Sequence, residues 1–542
     1  MLITVAVSFA GGLIGGILFG KLVFLVLLRI LHFDIGMNFA IEPDALIGTM
    51  LLFGCIFGAC LLYNMFQIRL SNPIELLHGG NVGEREPKTK LLLMIIGVLT
   101  LGGGYYIALS AEKPMEVIGL FFVAVILVII GTYALFTAGS IAVLKLMRKN
   151  KKYYYQAKHF TSVSGMMYRM KQNAAGLANI CILSTMVLVM ISSTVAMYTG
   201  MEDILNERFP RECIVEAYEP TEENITFVNK KLEEIFKKHH VTSKNEVKYS
   251  YTGTPIVRNG NELTYDQTKI NAHSDYGTVY LITEEEYNQL EGKNVELQDD
   301  QVLTYGTKDQ FEEKKILLNG KTYKNTKVSM RAVDQDTQSV MSGYYIVMAD
   351  QKEIDAFVGE NQEYITRAYY HAVDLSGKES DKFKALEEIQ AQVKSDEKSI
   401  QTELRDFSKD DFYSLYGVFF FLGIFFGILF LMATVLIIYY KQISEGYSDR
   451  ERFEVMRKAG MSQREVKQSI RSQVLSVFFL PLIVAVIHIA VAFKVITKLL
   501  SALNLTNVPL IFGSTVATVV VFAVFYGIVY GITTKEYYRI VK

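Results

Sequence analysis

The chain contains no tryptophan, and its 542 residues include only 9 prolines and 4 cysteines. Cys55, Cys60 and Cys181 lie inside apolar runs, so Cys213 has no obvious partner. These shortages exclude a secreted scaffold held together by disulfides, and the scarcity of long polar tracts excludes a largely disordered chain. Only 20% of the residues are charged, whereas 50% are hydrophobic. The composition therefore predicts a membrane protein.

The net charge of −1 conceals two regions of opposite charge. Residues 201–411 carry 42 acidic and 27 basic side chains, whereas the rest of the chain carries 14 acidic and 28 basic ones. Such a division indicates that the two regions face different environments, for example the two sides of a membrane.

Long apolar runs predict eight membrane spans, because a helix needs about 20 apolar residues to cross a bilayer. The first run, Leu2–Leu31, is interrupted by Lys21 and Arg29, whose long side chains can reach the membrane surface or face a protein interior. It lacks the basic start of a signal peptide, so we expect it to be retained. The other runs are uncharged: Ala45–Ile68, Leu91–Leu109, Val117–Leu144, Leu177–Gly200, Phe412–Tyr440, Val474–Phe493 and Val508–Thr534.

Lysine and arginine in the short loops predict the orientation. The loop 145–171 has eight basic side chains and no acidic one, which indicates that it lies in the cytoplasm. The acidic segment 201–411 then lies outside the cell, and the C-terminus lies in the cytoplasm. We expect a multi-pass protein in which 1–200 is a first membrane half of five spans and 412–542 is a C-terminal membrane unit of three.

The first and last hairpins of spans resemble each other. An offset of 466 residues aligns Pro43 with Pro509 and superposes two hairpins that run in the same direction. Parallel repeats are common in transporters, although chance similarity between membrane hairpins is the alternative. On this offset, counterparts of Phe412–Tyr440 and the loop after it would precede Met1. We therefore expect the first half to be incomplete at its N-terminus.

Glycine is concentrated in the first span, at Gly11, Gly12, Gly15, Gly16 and Gly20. The spacing permits close helix packing, and the alternative is that glycine is simply common in membrane helices. The run Gly15–Lys21 also resembles a phosphate-binding loop. However, Leu22 stands where that loop needs a hydroxyl, and the flanks are apolar. No other stretch offers a nucleotide site, so energy for transport would come from an ion gradient or a separate ATPase.

Residues 201–411 predict an extracellular α+β domain, because two helical patterns flank short strand-like runs. The helices are Glu222–Lys238, with Thr221 as N-cap, and Phe383–Val393. The strand-like runs are Val247–Tyr251, Thr278–Ile282, Lys315–Leu318 and Tyr344–Met348, with turns at Asn259-Gly260 and Asn319-Gly320. The histidines here, His239, His240, His273 and His371, lack metal-ligand spacing, so we expect neither a metal nor a cofactor. Without a nucleophile–base pair, we do not expect an enzyme.

A coupling segment, residues 448–461, is the most informative short stretch. It predicts an amphipathic helix, because Phe453, Met456 and Arg457 share one helical face and Gly460 can end the helix. Such a helix in the cytoplasm is suited to dock in a groove of a partner, although a helix lying on lipid headgroups is the alternative. The residues expected to contact the partner are Arg450, Glu451, Phe453, Met456, Arg457, Gly460 and Met461.

Several motifs together resemble one family across essentially the whole chain. They are Tyr440–Tyr447 with Asp449–Phe453, the Gly460-Met461-Ser462 turn, Asn72–Leu77, Glu86-Pro87-Lys88 and Tyr168–Ala174. The sequence resembles the FtsX-like permeases of ABC transporters, specifically the bacitracin-resistance (Bce-type) subgroup of Gram-positive bacteria. That family has ten spans, so the eight spans found here depart from its pattern.

The resemblance implies a function and a set of partners. The permease would pair with a cytoplasmic ABC ATPase subunit, in two copies, and with a membrane histidine kinase in the cell membrane. Its outer domain would engage peptide antibiotics or their lipid-linked cell-wall precursors, at residues within 201–411 that the sequence does not identify. The coupling segment would sit on the ATPase, and no nucleic acid is expected as a partner. The alternative is a non-transporting scaffold that regulates a kinase or a cell-wall enzyme.

Overall fold

The computed structural model describes residues 2–30, 42–70, 90–110, 114–155, 157–264, 275–307, 310–330, 342–359, 364–458 and 463–541. They form two compact units. The membrane unit comprises Met1–Tyr198, Ser414–Ile496 and Pro509–Lys542. The α+β unit comprises Thr199–Tyr413 and Thr497–Val508.

The described part of the chain contains eight helices that are long and apolar enough to cross a membrane, as predicted. The fourth span continues through a π-helical turn, Leu135–Gly139, and the sixth span lies within one helix of 54 residues. The helices of the membrane unit are α1 Leu2–Ile30, α2 Pro43–Leu70, α3 Leu91–Ser110, α4 Pro114–Ala134, α5 Ser140–Lys149, α6 Lys151–Tyr154, α7 Ala157–Thr199, α13 Arg405–Lys458, α14 Gln463–Ser501 and α15 Val508–Val541.

Glycine allows α3 and α4 to approach closely. A Cβ added at Gly131 would lie 2.7 Å from the backbone nitrogen of Leu101, and one at Gly104 would lie 3.0 Å from the carbonyl oxygen of Ala124. In α1 the situation differs. No described atom of another helix lies within 4 Å of a Cβ built at Gly11, Gly12, Gly15 or Gly16. Close packing through these four glycines is therefore not seen in the described structure.

The α+β unit contains ten strands and five helices among its described residues, besides the start of α13. The strands are β1 Cys213–Tyr218, β2 Thr242–Asn259, β3 Glu262–Thr264, β4 Asp275–Thr283, β5 Gln301–Gly306, β6 Lys315–Leu318, β7 Lys321–Lys327, β8 Ser342–Met348, β9 Thr366–Ser376 and β10 Ile400–Leu404. The helices are α8 Met201–Arg208, α9 Glu222–Lys238, α10 Glu284–Glu291, α11 Gln351–Val358 and α12 Glu379–Gln392.

The long strand β2 joins two sheet regions. Its first half pairs with β9, which continues to β1 and β10, all antiparallel. Its second half pairs with both β3 and β4. From there the order β3-β6-β7-β5-β8-β4 returns to β2, so seven strands form a closed ring. Closure leaves no free edge within that ring.

Three apolar clusters hold the α+β unit together. Helices α9 and α12 cover one face of β1, β9 and β10, where Val215, Leu232 and Leu386 are fully buried. A second cluster, including Leu263, Ile316 and Ile346, fills the ring with help from α11. The third is rich in tyrosine and includes Tyr249 and Tyr345, which lie on β2 and β8. Burial of this apolar area is the main stabilising contribution.

The predicted α+β architecture is confirmed, and several local predictions match closely. Thr221 caps α9 by accepting a hydrogen bond from the Asn224 nitrogen at 3.2 Å. The turn at Asn319 and Gly320 has φ of 45° and 88°, the left-handed values that a tight hairpin requires. The strand-like runs that the sequence analysis names do not cover β1, β3, β5, β7, β9 or β10. In β1 and β9 most side chains are buried on both faces, so these two strands show no clear alternation.

Candidate coupling site

The described part of the coupling segment, residues 448–458, is helical, but it is not a separate helix. Residues 448–458 form the last three turns of α13, which runs unbroken from Arg405. A helix of this length measures about 80 Å at about 1.5 Å per residue. The prediction of a separate helix in the coupling segment is therefore wrong. No proline interrupts α13, and the Glu454–Lys458 ion pair at 3.3 Å supports its last turn.

The structure locates only part of the predicted contact surface. Arg450 is the one predicted contact residue whose side chain is described, and it is exposed, as are its neighbours Glu454, Val455 and Lys458. Glu451, Phe453, Met456 and Arg457 lie within α13, but their side chains fall outside the described structure, as do the residues Gly460 and Met461. That these residues form one docking face stays a prediction.

A buried polar cluster, which we call the anchor cluster, holds the coupling segment at its base. It consists of Lys441, Glu445 and Asp449 on α13 with Asn173 on α7 and Tyr537 on α15. The Tyr537 hydroxyl donates to Asp449 Oδ2 at 2.6 Å, and both side chains are buried. Asn173 Nδ2 donates to Glu445 Oε1 at 2.6 Å. Because buried carboxylates need such partners, these bonds fix α13 to two neighbouring helices.

Sequence reasoning missed the anchor cluster, although a signal for it exists. Lys441, Glu445 and Asp449 are spaced by four, which places all three on one helical face. Lys441 Nζ lies 3.9 Å from Glu445 Oε1. The sequence prediction ended the apolar span at Tyr440 and so assigned these residues to the cytoplasmic loop after it.

Tight packing extends this attachment along the membrane helices. Gly423 on α13 contacts Thr194 on α7, and Gly427 faces Ile191 one turn further on. The rings of Tyr198 and Phe420 stack with centroids 4.4 Å apart. Since glycine allows the helices to approach closely, α7 and α13 form a tightly packed pair.

His488 lies within the predicted span Val474–Phe493 and links α14 to α3 and α4. It is buried, and the Tyr105 hydroxyl lies 2.7 Å from Nδ1 while Thr132 Oγ1 lies 3.1 Å from Nε2. Thr132 already donates to the carbonyl oxygen of Val128, so its oxygen accepts from Nε2–H. Tyr105 then donates to Nδ1. Both ring nitrogens are thus satisfied in a neutral imidazole.

Three further basic side chains lie in or next to the predicted spans: Lys21 and Arg29 in the first, and Lys494 directly after Val474–Phe493. Lys494 donates from Nζ to the carbonyl oxygen of Leu109 at 2.6 Å, near the ends of α14 and α3. Lys21 and Arg29 are exposed on α1. Of these three side chains, Lys494 is the one for which the described structure shows a hydrogen bond to another helix.

The α+β unit has a cleft of about 600 Å³ where three helices begin. Thr221, Thr283 and Gln351 mark the starts of α9, α10 and α11 at its rim. Tyr251 and Glu286 also line it, and burial raises the pKa of Glu286. Its size suits a small ligand or part of a peptide. The cleft is a candidate recognition site, which the sequence did not indicate.

Two of the four histidines considered in the sequence, His239 and His371, make separate pairs in this unit, and His273 lies outside the described residues. His239 Nε2 lies 2.6 Å from Glu388 Oε2, and His371 Nε2 lies 2.8 Å from Glu246 Oε1. Burial lowers the pKa of His371 to about 4. Within the described ranges no three His, Cys, Asp or Glu side chains converge on a metal position.

Eight apolar helices and a large α+β unit define a multi-pass membrane protein. Its sequence is 25% identical to the ABC transporter permease protein YxdM of Bacillus subtilis, over 90% of this chain and 75% of the relative. It is 23% identical to the uncharacterized ABC transporter permease YvcS, over 98% and 81%, and 23% identical to the bacitracin export permease protein BceB, over 89% and 75%, both of the same organism. No protein-family model matches the chain.

These relatives confirm the resemblance that the motifs indicate. Over most of its length the chain is similar to ABC transporter permeases, two of which are named bacitracin export permeases. Permeases of this class are not catalytic themselves.

Proposed function

We propose that this permease takes part in resistance to, and sensing of, cell-wall-targeting peptide antibiotics of the bacitracin kind. A separate cytoplasmic ATPase, in two copies, would bind the coupling segment. The α+β unit would engage the peptide, or its lipid-linked precursor complex, outside a Gram-positive cell. The C-terminus would lie in the cytoplasm, and a membrane histidine kinase would receive the signal. Two relatives are named bacitracin export permeases, which supports the ligand class.

The observation that carries the proposal is the continuity of α13. It begins at Arg405, directly after β10 of the α+β unit, and continues to Lys458 in the coupling segment. One unbroken helix therefore joins the proposed recognition unit to the proposed ATPase contact. A rigid helix can transmit displacement along its length without an intervening nucleotide site or pore.

Peptide-stimulated ATP hydrolysis by the chain with its ATPase tests this proposal. We expect bacitracin to raise ATPase activity in lipid nanodiscs, and Phe453→Asp to remove at least most of that stimulation. Ser448→Asp is the matched control, because it adds the same charge one and a half turns earlier at an exposed position. Full stimulation in Phe453→Asp would contradict the proposed contact.

The alternative function, a scaffold that regulates a kinase or cell-wall enzyme without transport, makes a different prediction. In that case a kinase response to bacitracin in cells would survive Phe453→Asp, since no ATPase coupling is required. Under our proposal the kinase response and the resistance are lost together.

A further inference from the structure

Two carboxylates on α8 bind the loop between α14 and α15. Asp203 Oδ2 accepts a hydrogen bond from Asn507 Nδ2 at 2.7 Å. One turn later, Glu207 Oε1 accepts from Thr506 Oγ1 at 3.1 Å. Two adjacent loop residues therefore meet two residues on one face of α8, at helical spacing. All four belong to the α+β unit.

The loop that makes this contact is held in a defined turn. The Leu505 nitrogen donates to the carbonyl oxygen of Leu500 at 2.9 Å, and Asn504 has a φ of 63°. Leu505 is fully buried, directly before Thr506. The end of α14 is thus closed by hydrogen bonds and apolar burial, so a displacement of α14 also displaces Thr506 and Asn507.

Helix α8 is in turn fixed to the sheet. Arg208 donates through both terminal nitrogens to the two carboxylate oxygens of Glu403 on β10, each at 2.9 Å. Arg405, the first residue of α13, donates to Asn206 Oδ1 at 3.1 Å. The bidentate Arg208–Glu403 pair fixes the orientation of α8 relative to β10 as well as the distance between them. Toward the membrane side of the chain, only Gly200 separates α8 from α7.

We propose that Asp203 and Glu207 are positioning residues that couple α14 to the α+β unit. Helix α14 begins at Gln463, just after the coupling segment, and ends at the loop held by α8. In addition to α13, α14 would be a second helix through which movement of the permease reaches the recognition unit. This role rests on the proposed function. The hydrogen bonds of Asp203 and Glu207 to the loop would stay formed throughout the cycle, so that α8 and the loop move together.

The main test uses the full chain with its ATPase in nanodiscs. Asp203→Ala with Glu207→Ala should leave basal ATPase activity and bacitracin binding unchanged but reduce bacitracin-stimulated activity several-fold. Glu202→Ala is the matched control, since Glu202 is exposed on the same helix. Full stimulation in the double variant would overturn the proposal.

A cross-link tests whether the contact stays closed. Cysteines at positions 203 and 507, introduced as Asp203→Cys and Asn507→Cys after Cys55→Ser and Cys60→Ser, would be joined by a short bifunctional reagent. We expect the cross-linked protein to retain stimulation, whereas loss of stimulation on cross-linking would show that the contact must open.

A distance measurement separates failure of this inference from failure of the proposed function. Spin labels at Glu202 and Leu503, both exposed, report on α8 and the loop without any peptide. The distance should be narrow and equal in nucleotide-free and ATP-trapped states, and broad in the alanine double variant. A parent distance that changes with ATP overturns the contact. Absence of bacitracin stimulation in the parent chain would instead contradict the proposed function.

Discussion

The hairpins α1–α2 and α14–α15 look alike in sequence but differ in their surroundings. Leu18 and Leu51 of the first hairpin are 68% and 65% exposed, whereas Phe522 and Tyr537 of α15 are 5% and 0% exposed. Both hairpins have a proline at the start of the second helix, Pro43 in α2 and Pro509 in α15, as the proposed repeat requires. Equal hydropathy therefore does not mean equal packing.

Polar side chains account for much of the difference. In the second hairpin, His488 bonds to two helices, Tyr526 donates to the carbonyl oxygen of Phe478 at 2.8 Å, and Tyr537 bonds to Asp449. Lipid chains are as apolar as leucine, so apolar surface alone provides little driving force for helices to associate in a bilayer. Directional bonds and close packing select the partners.

The largest effect is expected at Tyr537. Replacing Tyr537 with Phe removes the donor to buried Asp449, and we expect a loss of about 1.5–3 kcal/mol in unfolding free energy, typical of a bond to a charged group. Tyr63→Phe in α2 is the matched control, because Tyr63 is 67% exposed. The unfolding free energies of both variants can be measured by unfolding with sodium dodecyl sulfate in mixed micelles. Equal losses of unfolding free energy in the two variants would contradict the difference in packing between the two hairpins.

Glycine gives a second test of the packing contrast. Gly131→Ala places a Cβ against the Leu101 backbone, and overpacking of this kind costs about 1–3 kcal/mol, partly offset by the higher helix propensity of alanine. Gly12→Ala in α1 meets nothing within 4 Å and should be neutral or slightly stabilising. The same unfolding assay applies, and a loss at Gly12 matching that at Gly131 would show that α1 is packed after all.

Elements set by local patterns could be predicted from the sequence. The eight spans follow from apolar length, and α9 with its Thr221 cap follows from helical periodicity and a capping residue. Strand β6 matched its predicted range because a tight turn follows it directly. These features depend on neighbours in sequence, which a single sequence shows.

The missing features depend on contacts between distant residues. The part of α13 after Tyr440 is held by the bonds of Glu445 and Asp449 to Asn173 and Tyr537, which are far away in sequence. The closed ring of strands depends on β2 pairing with both β3 and β4. No local pattern specifies such pairings. The spacing of Lys441, Glu445 and Asp449 was visible in the sequence, but their partners on other helices and the cleft could be found only from the structure.

The smallest expected effect concerns the bond between Tyr105 and His488. Tyr105→Phe and His488→Leu should each destabilise the protein, but the double variant should cost less than their sum, because either substitution alone already breaks the bond. Hydrogen bonds between membrane helices contribute about 0.6 kcal/mol on average and up to about 1.7 kcal/mol, so we expect a coupling energy in that range. Tyr106→Phe is a matched control, since Tyr106 is the next residue and is 73% exposed. Strict additivity in the Tyr105–His488 cycle would mean that this bond does not hold α14 to α3, and apolar packing would then have to explain why the second hairpin is buried and the first is not.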